Sequence, residues 1–164
     1  MIFELLAVIF AGLAGAGLML MISRFASLPR WWVPMGAGAT MLAATLSSEY
    51  GWYGRTAASL PQGVVVAQTL PVSVPWRPWS YVMPLTEGFV AVDRGNLRPN
   101  SQTPDLYLAD VYLFGRWQPV RVIEVMVDCA GQRRADPGQS QAAEPVWRDV
   151  GADDPVVAKV CEVA

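Results

Sequence analysis

The chain has 164 residues, 53% of them hydrophobic, with 12 basic and 14 acidic side chains, a net charge of -2 and no histidine. That length holds a membrane anchor and one small core but no second large domain, and a near-neutral charge with no clustered basic face argues against nucleic acid as a partner. The missing histidine removes the commonest general base, the haem-ligating imidazole and the usual zinc sites together.

Residues 2–22 form an apolar run whose single charge is Glu4, and residues 31–46 form a second with none. At ~1.5 Å per helical residue the first covers about 31 Å, the hydrocarbon thickness of a bilayer, and the second lies near the lower limit for a span. We expect a transmembrane helical hairpin over residues 1–53, with spans at about 2–22 and 31–48 and a linker at 23–30. A cleaved signal peptide would open on basic residues and carry a shorter apolar core, so the first span is expected to stay. Arg24 and Arg30 flank the spans on their shared side. The positive-inside rule then puts the linker in the cytoplasm and both termini in the periplasm of a bacterial inner membrane. Trp31 and Trp32 at one boundary and Tyr50, Trp52 and Tyr53 at the other follow the aromatic-belt pattern. Pro34 falls in the first turn of the second helix, where its missing N–H costs little.

Small residues recur at helical spacing: Ala7, Ala11 and Gly15, then Gly12 and Ala16, and on the second helix Gly36, Thr40 and Ala44. In lipid such faces let backbones approach closely, so they mark helix-packing surfaces, either between the two helices or toward integral membrane subunits. Neither span carries an ionisable residue near its middle, which argues against an ion pathway through this chain.

The remainder, 54–164, is expected to be a periplasmic β-rich domain. Residues 54–60 read as a linker, 61–63 as a turn and 64–70 as a β-branched strand. Residues 71–81 carry three prolines between Pro71 and Pro78, with Trp76, Trp79 and Tyr81 among and after them. This predicts an edge or extended strap that lies on its own core or on the membrane, or offers those aromatics to a protein partner. A short strand at 88–93 and a polar loop at 94–104 precede the strongest local signal, two strand-like runs at 106–114 and 117–129 separated by Gly115-Arg116, a pair suited to a type II′ hairpin turn. Ile123, Val125, Val127 and Cys129 share one strand face and Val122, Glu124, Met126 and Asp128 the other, so the first face should pack. Pro119 predicts a bulge or an edge. Residues 130–145 are polar and read as a loop or mobile stretch. A short helix closes the chain over 153–161, with Asp154 as its cap and Pro155 in its first position.

The only two cysteines, Cys129 and Cys161, lie in the part assigned to the periplasm. They suggest a disulfide, with two buried thiols or a metal pair as alternatives, the latter lacking a third cysteine or any histidine. A strand ending Val127-Asp128-Cys129, then Arg133-Arg134, then a second cysteine on a C-terminal helix resembles the surface-adhesin E family of small bacterial envelope domains. The resemblance covers about residues 106–161. It implies an antiparallel sheet with a C-terminal helix tied on by the disulfide. Two membrane spans in place of a lipoprotein-type start, and the Pro/Trp strap, depart from that family, and adhesion is not carried over. The expected fold class is therefore α+β: a two-helix transmembrane hairpin followed by a small antiparallel β-sheet domain with a disulfide-tied C-terminal helix.

No catalytic template fits. Without histidine there is no Ser/His/Asp or Cys/His arrangement, and nothing in the spacing of Asp93, Asp105, Asp110, Glu124, Asp128, Asp153 and Asp154 singles out two for acid/base work. Glu124 and Asp128, with Arg121 and Arg133 close in sequence, read as a solvated or salt-bridged surface. The glycines at 12, 15 and 17 lie in a membrane span and are packing residues rather than a phosphate loop. We expect no cofactor and no metal. The first functional expectation is a non-catalytic accessory subunit of a larger inner-membrane complex, such as a respiratory or photosynthetic one, with integral membrane subunits and the lipid bilayer as partners. The second is a free-standing anchored periplasmic domain that binds a ligand or protein, and an enzyme comes third.

Overall fold

A computed structural model describes residues 2–27, 29–103, 105–135 and 145–162. The chain divides into two compact units, Met1–Gly54 and Arg55–Ala164. Two helices begin it, α1 (Ile2–Ala26) and α2 (Trp32–Ala58). Of these α1 alone is long and apolar enough to cross a membrane by length and composition. In α2 the apolar character ends at Leu46, and Ser47, Ser48, Glu49, Arg55 and Thr56 follow.

Both helices outrun the sequence expectation. Residues 23–26, read as linker, extend α1, where the Ser23 hydroxyl donates to the Leu20 carbonyl at 2.9 Å. Ser27, with φ of 47°, stops the helix in the left-handed region that often follows a C-terminus. Residues 54–58, also read as linker, are helical: the helix runs through Gly51 and Gly54, and no proline follows Pro34 until Pro61. The helix closes instead through the Ser59 amide to the Thr56 carbonyl at 3.1 Å and the Leu60 amide to the Ala57 carbonyl at 3.4 Å.

Seven strands form one antiparallel sheet in the second unit: β1 (Val64–Val72), β2 (Leu85–Asp93), β3 (Arg98–Pro99), β4 (Leu106–Gly115), β5 (Gln118–Asp128), β6 (Arg133–Ala135) and β7 (Trp147–Asp149). They lie in the order β1-β2-β4-β5-β6-β7, with β3 paired to β4. Pro71 sits inside β1, which tolerates it as an edge strand whose register slips between Leu70 and Pro71. β2 starts three residues before the expected strand, and β3 interrupts what was read as a polar loop by pairing Arg98 with Leu108 and Pro99 with Tyr107.

The strap after β1 is folded on itself rather than extended. Its hinge is Ser80, fully buried: the hydroxyl accepts from the Val74 amide at 2.9 Å and donates to the Arg77 carbonyl at 2.7 Å. The Ser73 hydroxyl reaches the Ser80 carbonyl at 2.9 Å. These bonds wind Pro78–Tyr81 into a 3₁₀ turn.

The β4–β5 hairpin forms, but one residue later than expected. Gly115 pairs with Gln118, which leaves Arg116 and Trp117 in the turn. Positive φ among the described residues is confined to Ser27, Gln132, Gly63 and Gly151, so the turn is not type II′. Between the Leu113–Arg121 and Gly115–Gln118 pairs, Pro119 and Val120 oppose Phe114 alone. This is the bulge that Pro119 foretold. Of the stretch 130–145, residues 133–135 are β6, while 136–144 lie outside the described residues.

Helix α3 (Pro155–Cys161) covers one face of the sheet, with Val156, Val157 and Val160 buried on Val92, Ala109, Val111, Val125 and Val127. Ile123, on the same strand face as Val125 and Val127, is exposed although its cross-strand partner Val111 is buried, because β6 pairs only with Met126–Asp128 and leaves β5 as the outer strand at that point. Four further devices fix the helix. The Asp154 carboxylate accepts from the amides of Val156 and Val157 at 3.0 and 3.1 Å, the N-cap expected from sequence. The same carboxylate meets Arg134 of β6 at 3.2 Å. At the other end Arg94 donates to the Lys159 carbonyl at 3.0 Å and pairs with Glu162 at 2.8 Å. A disulfide joins Cys129 to Cys161, with their Cα atoms 5.7 Å apart.

Candidate interaction surfaces

The seam between α1 and α2 is built from glycine. A Cβ on Gly15 would collide with the Thr40 side chain and stand 2.8 Å from the Gly36 carbonyl. One on Gly12 would meet Met41, and one on Gly36 would meet Met19. Thr40 donates its hydroxyl to the Gly36 and Ala37 carbonyls at 3.0 and 2.9 Å, so the oxygen and methyl that both lie against Gly15 bring no orphaned polar group into the seam. At one end the Ser48 hydroxyl donates to Glu4 at 3.1 Å. Of the residues singled out for packing, Gly12, Gly15, Gly36 and Thr40 meet in this seam. Ala11, Ala16 and Ala44 are half-buried, and Ala7 is exposed. Gly17 and Gly38 face open space. Around the seam α1 turns Phe3, Ile9, Phe10, Leu13 and Leu20 outward.

In the second unit, exposed large apolar side chains are distributed unevenly. The strap carries Trp76, 73% exposed, with Tyr81, Val82 and Met83, while Trp79 is less open at 39%. The β4–β5 hairpin adds Trp117, Val120, Val122 and Ile123. Register places both on one end of the sheet, since Val72 pairs with Leu85 where the strap leaves and Gly88 pairs with Gly115 at the hairpin tip. The Arg116 amide donates to the Glu87 carbonyl at 3.0 Å, and the Arg77 guanidinium lies 3.8 Å from the Glu87 carboxylate. Behind them Phe89 stacks on Phe114, with centroids 4.6 Å apart. Leu70 of β1, paired with Gly88, is exposed at the same end, and among the described residues of this unit only Val146 exposes a large apolar side chain away from it. A cleft of about 280 Å³ opens beside the hairpin, lined by Leu70, Val72, Gly88, Leu113, Gln118 and Arg121 among others.

Trp76, Trp79 and Tyr81, singled out in the sequence as aromatics open to a partner, are all exposed. Val82 and Met83 were not singled out because they follow the strap as read, 71–81, and Trp117 and Val120 because they open a strand-like run; Val122 already stood on the strand face opposite the one expected to pack.

Asp110, Glu124, Asp128, Asp154 and Glu162 form ion pairs, while Asp93 accepts from the Gly95 amide at 2.9 Å. Arg98 reaches Asp110 at 2.9 Å and Glu124 at 2.8 Å, and Asn96 donates to Asp110 at 2.9 Å. Asp128 accepts from the Gly131 amide at 2.9 Å and from Arg133 at 2.7 Å. The Gly131 bond, joined by the Arg133 guanidinium, outweighs partial burial and holds the Asp128 carboxyl below its usual range. Glu162 is lowered by its bond to Lys159 and by Arg94. Glu124 and Asp128 thus take arginine partners as expected of a salt-bridged surface, though Arg121 bonds Gln118 instead. The Arg133 guanidinium also lies over the Trp147 ring, 4.8 Å from its centroid. Among the described residues no three or more histidine, cysteine or acidic side chains are grouped to hold a metal.

No protein-family model, curated protein or solved structure matches the chain.

Proposed function

We propose that this chain is a non-catalytic accessory subunit of a larger bacterial inner-membrane complex, stabilising it through the helix pair and the sheet domain; respiratory and photosynthetic complexes are the first hosts to test. The observation that carries the reading is α1. It is apolar on every side yet packs on α2 along a single glycine seam, so Phe3, Phe10, Leu13 and Leu20 remain exposed for lipid or for neighbouring integral subunits. In this reading α2 is the second span, both termini are periplasmic, and the domain belongs to the surface-adhesin E type. The Cys129–Cys161 disulfide supports an oxidising compartment for the sheet domain.

The cleft beside the hairpin favours a second reading, an anchored periplasmic domain that binds a ligand or protein on its own account. Native-gel migration of the tagged chain from gently solubilised membranes, with mass spectrometry of the band, separates the two. Co-migration with a defined set of integral proteins supports the accessory subunit. Migration alone or as a small homo-oligomer overturns it in favour of the second reading.

A further inference from the structure

We infer that the strap and hairpin end of the sheet domain is a membrane-surface contact, with Trp76, Tyr81, Val82, Met83, Trp117 and Val122 seated in the headgroup layer of an anionic bilayer. The inference rests on the membrane anchoring proposed for α1 and adds a second, peripheral contact made by a different part of the chain.

Three observations select lipid as the occupant. The residue types are those of an interface: amphipathic tryptophan and tyrosine, aliphatic neighbours and arginine. Arg116 lies over the Trp117 ring at 4.8 Å, which puts a cation and an indole together at the hairpin tip. Charge divides along the sheet in the same sense. Residues 70–90 and 112–123, which make this end, hold three arginines and one carboxylate, whereas 93–110, 124–135 and 148–162 hold nine carboxylates and six basic residues. A cationic, aromatic end complements anionic headgroups, and the acidic remainder is repelled by them. Finally, the outer edge of the hairpin is poorly suited to strand addition. β6 pairs only with Met126–Asp128 of β5, and along the open stretch Pro119 lacks an amide while Arg121 and Glu124 are charged. What meets this end therefore has no need of strand geometry.

The test is site-directed spin labelling of the full oxidised chain in nanodiscs of mixed zwitterionic and anionic lipid. Nitroxides would be placed through V82C, W117C, L13C and S101C, one per protein; all four positions are exposed. Collision with oxygen and with a water-soluble nickel chelate reports immersion. The label at 13 reports the anchor, and the label at 101, in the polar loop, reports water. At 82 and 117 nickel accessibility should fall several-fold below that at 101, with oxygen accessibility raised. Values at 82 and 117 equal to those at 101, with 13 immersed, overturn the inference and leave the anchor intact. A water-like label at 13 overturns the anchor and the inference with it. Shielding at 82 and 117 from both probes in native membranes, but from neither in nanodiscs, assigns the surface to a protein and overturns the lipid contact.

Discussion

Replacing both cysteines, C129S with C161S, should lower the stability of the sheet domain by about 3 to 4 kcal/mol. The bridge spans 32 positions of sequence, and closing a loop of that size removes roughly this much denatured-state entropy in the chain-entropy model. The native structure should survive, because α3 keeps its cap on Asp154, the Arg134 and Arg94 clamps and three buried valines. The effect therefore belongs to the unfolded ensemble. For a domain of this size each kcal/mol moves the melting temperature by about 4 to 8 °C, so the shift is roughly 12 to 32 °C. The assay is thermal unfolding of the full chain in nanodiscs, followed by near-ultraviolet circular dichroism, for wild type, wild type with reductant and the double variant. Reductant should bring wild type close to the variant while the folded spectra of all three coincide. Midpoints within about 3 °C, or two alkylatable thiols in protein taken directly from cells, would refute the reasoning.

Asp154→Ala removes the cap of α3 and the partner of Arg134, and should cost about 1 to 2 kcal/mol in chemical denaturation; Asp154→Asn, which keeps an accepting oxygen, should recover part of it. Gly15→Leu should force α1 and α2 apart, read as loss of cross-linking between cysteines placed across the seam, whereas Gly17→Leu, which faces open space, should leave cross-linking unchanged. Asp128 has its folded-state pKa lowered from 3.8, so its stabilisation is present above that value and is lost as pH falls through the lower folded value. The stability difference between wild type and Asp128→Asn should therefore shrink on acidification below about pH 4, and a difference that stays constant to pH 2 would contradict the Arg133 and Gly131 contacts as its cause.

What sequence made legible was local chemistry with one physical solution. Asp154-Pro155 could hardly do anything but start a helix, and two cysteines in a chain without histidine had little alternative to each other. Alternation at Ile123, Val125 and Val127 told which face packs, but not where the packing stops, because that depends on how far β6 runs beside β5. The strap was misread for a related reason. Three prolines set φ at three positions, whereas the winding of Pro78–Tyr81 depends on one buried hydroxyl, Ser80, bridging Val74 and Arg77. Composition could not show that bridge. The surface gathered at one end of the sheet was harder still to see, since it joins residues 76–83 to 117–122 only through the register of β2 on β4.

The proposed two-span topology draws its support from the two flanks of α2 rather than from α2 itself. Its apolar stretch, 32–46, reaches only about 22 Å as a helix, short of a ~30 Å hydrocarbon layer. Before it stand Arg24 and Arg30, which favour a cytoplasmic linker. After it stands a disulfide, which favours an oxidising compartment for everything from β1 onward. If both preferences are met the chain must cross between Arg30 and Cys129, and among the described residues there α2 holds the only helix long enough to do so. The short apolar length is then a case of hydrophobic mismatch, met by local thinning and by Trp31, Trp32, Tyr50, Trp52 and Tyr53 at its borders. The same mismatch gives α2 a reason to seek protein neighbours, because a short helix is relieved by packing against longer ones. An alkaline phosphatase fusion after Ala164, active only in the periplasm, combined with a label at Ser27 that reacts only after the inner membrane is permeabilised, is the result this topology requires. A Ser27 label that reacts from the periplasmic side would remove α2 from the membrane.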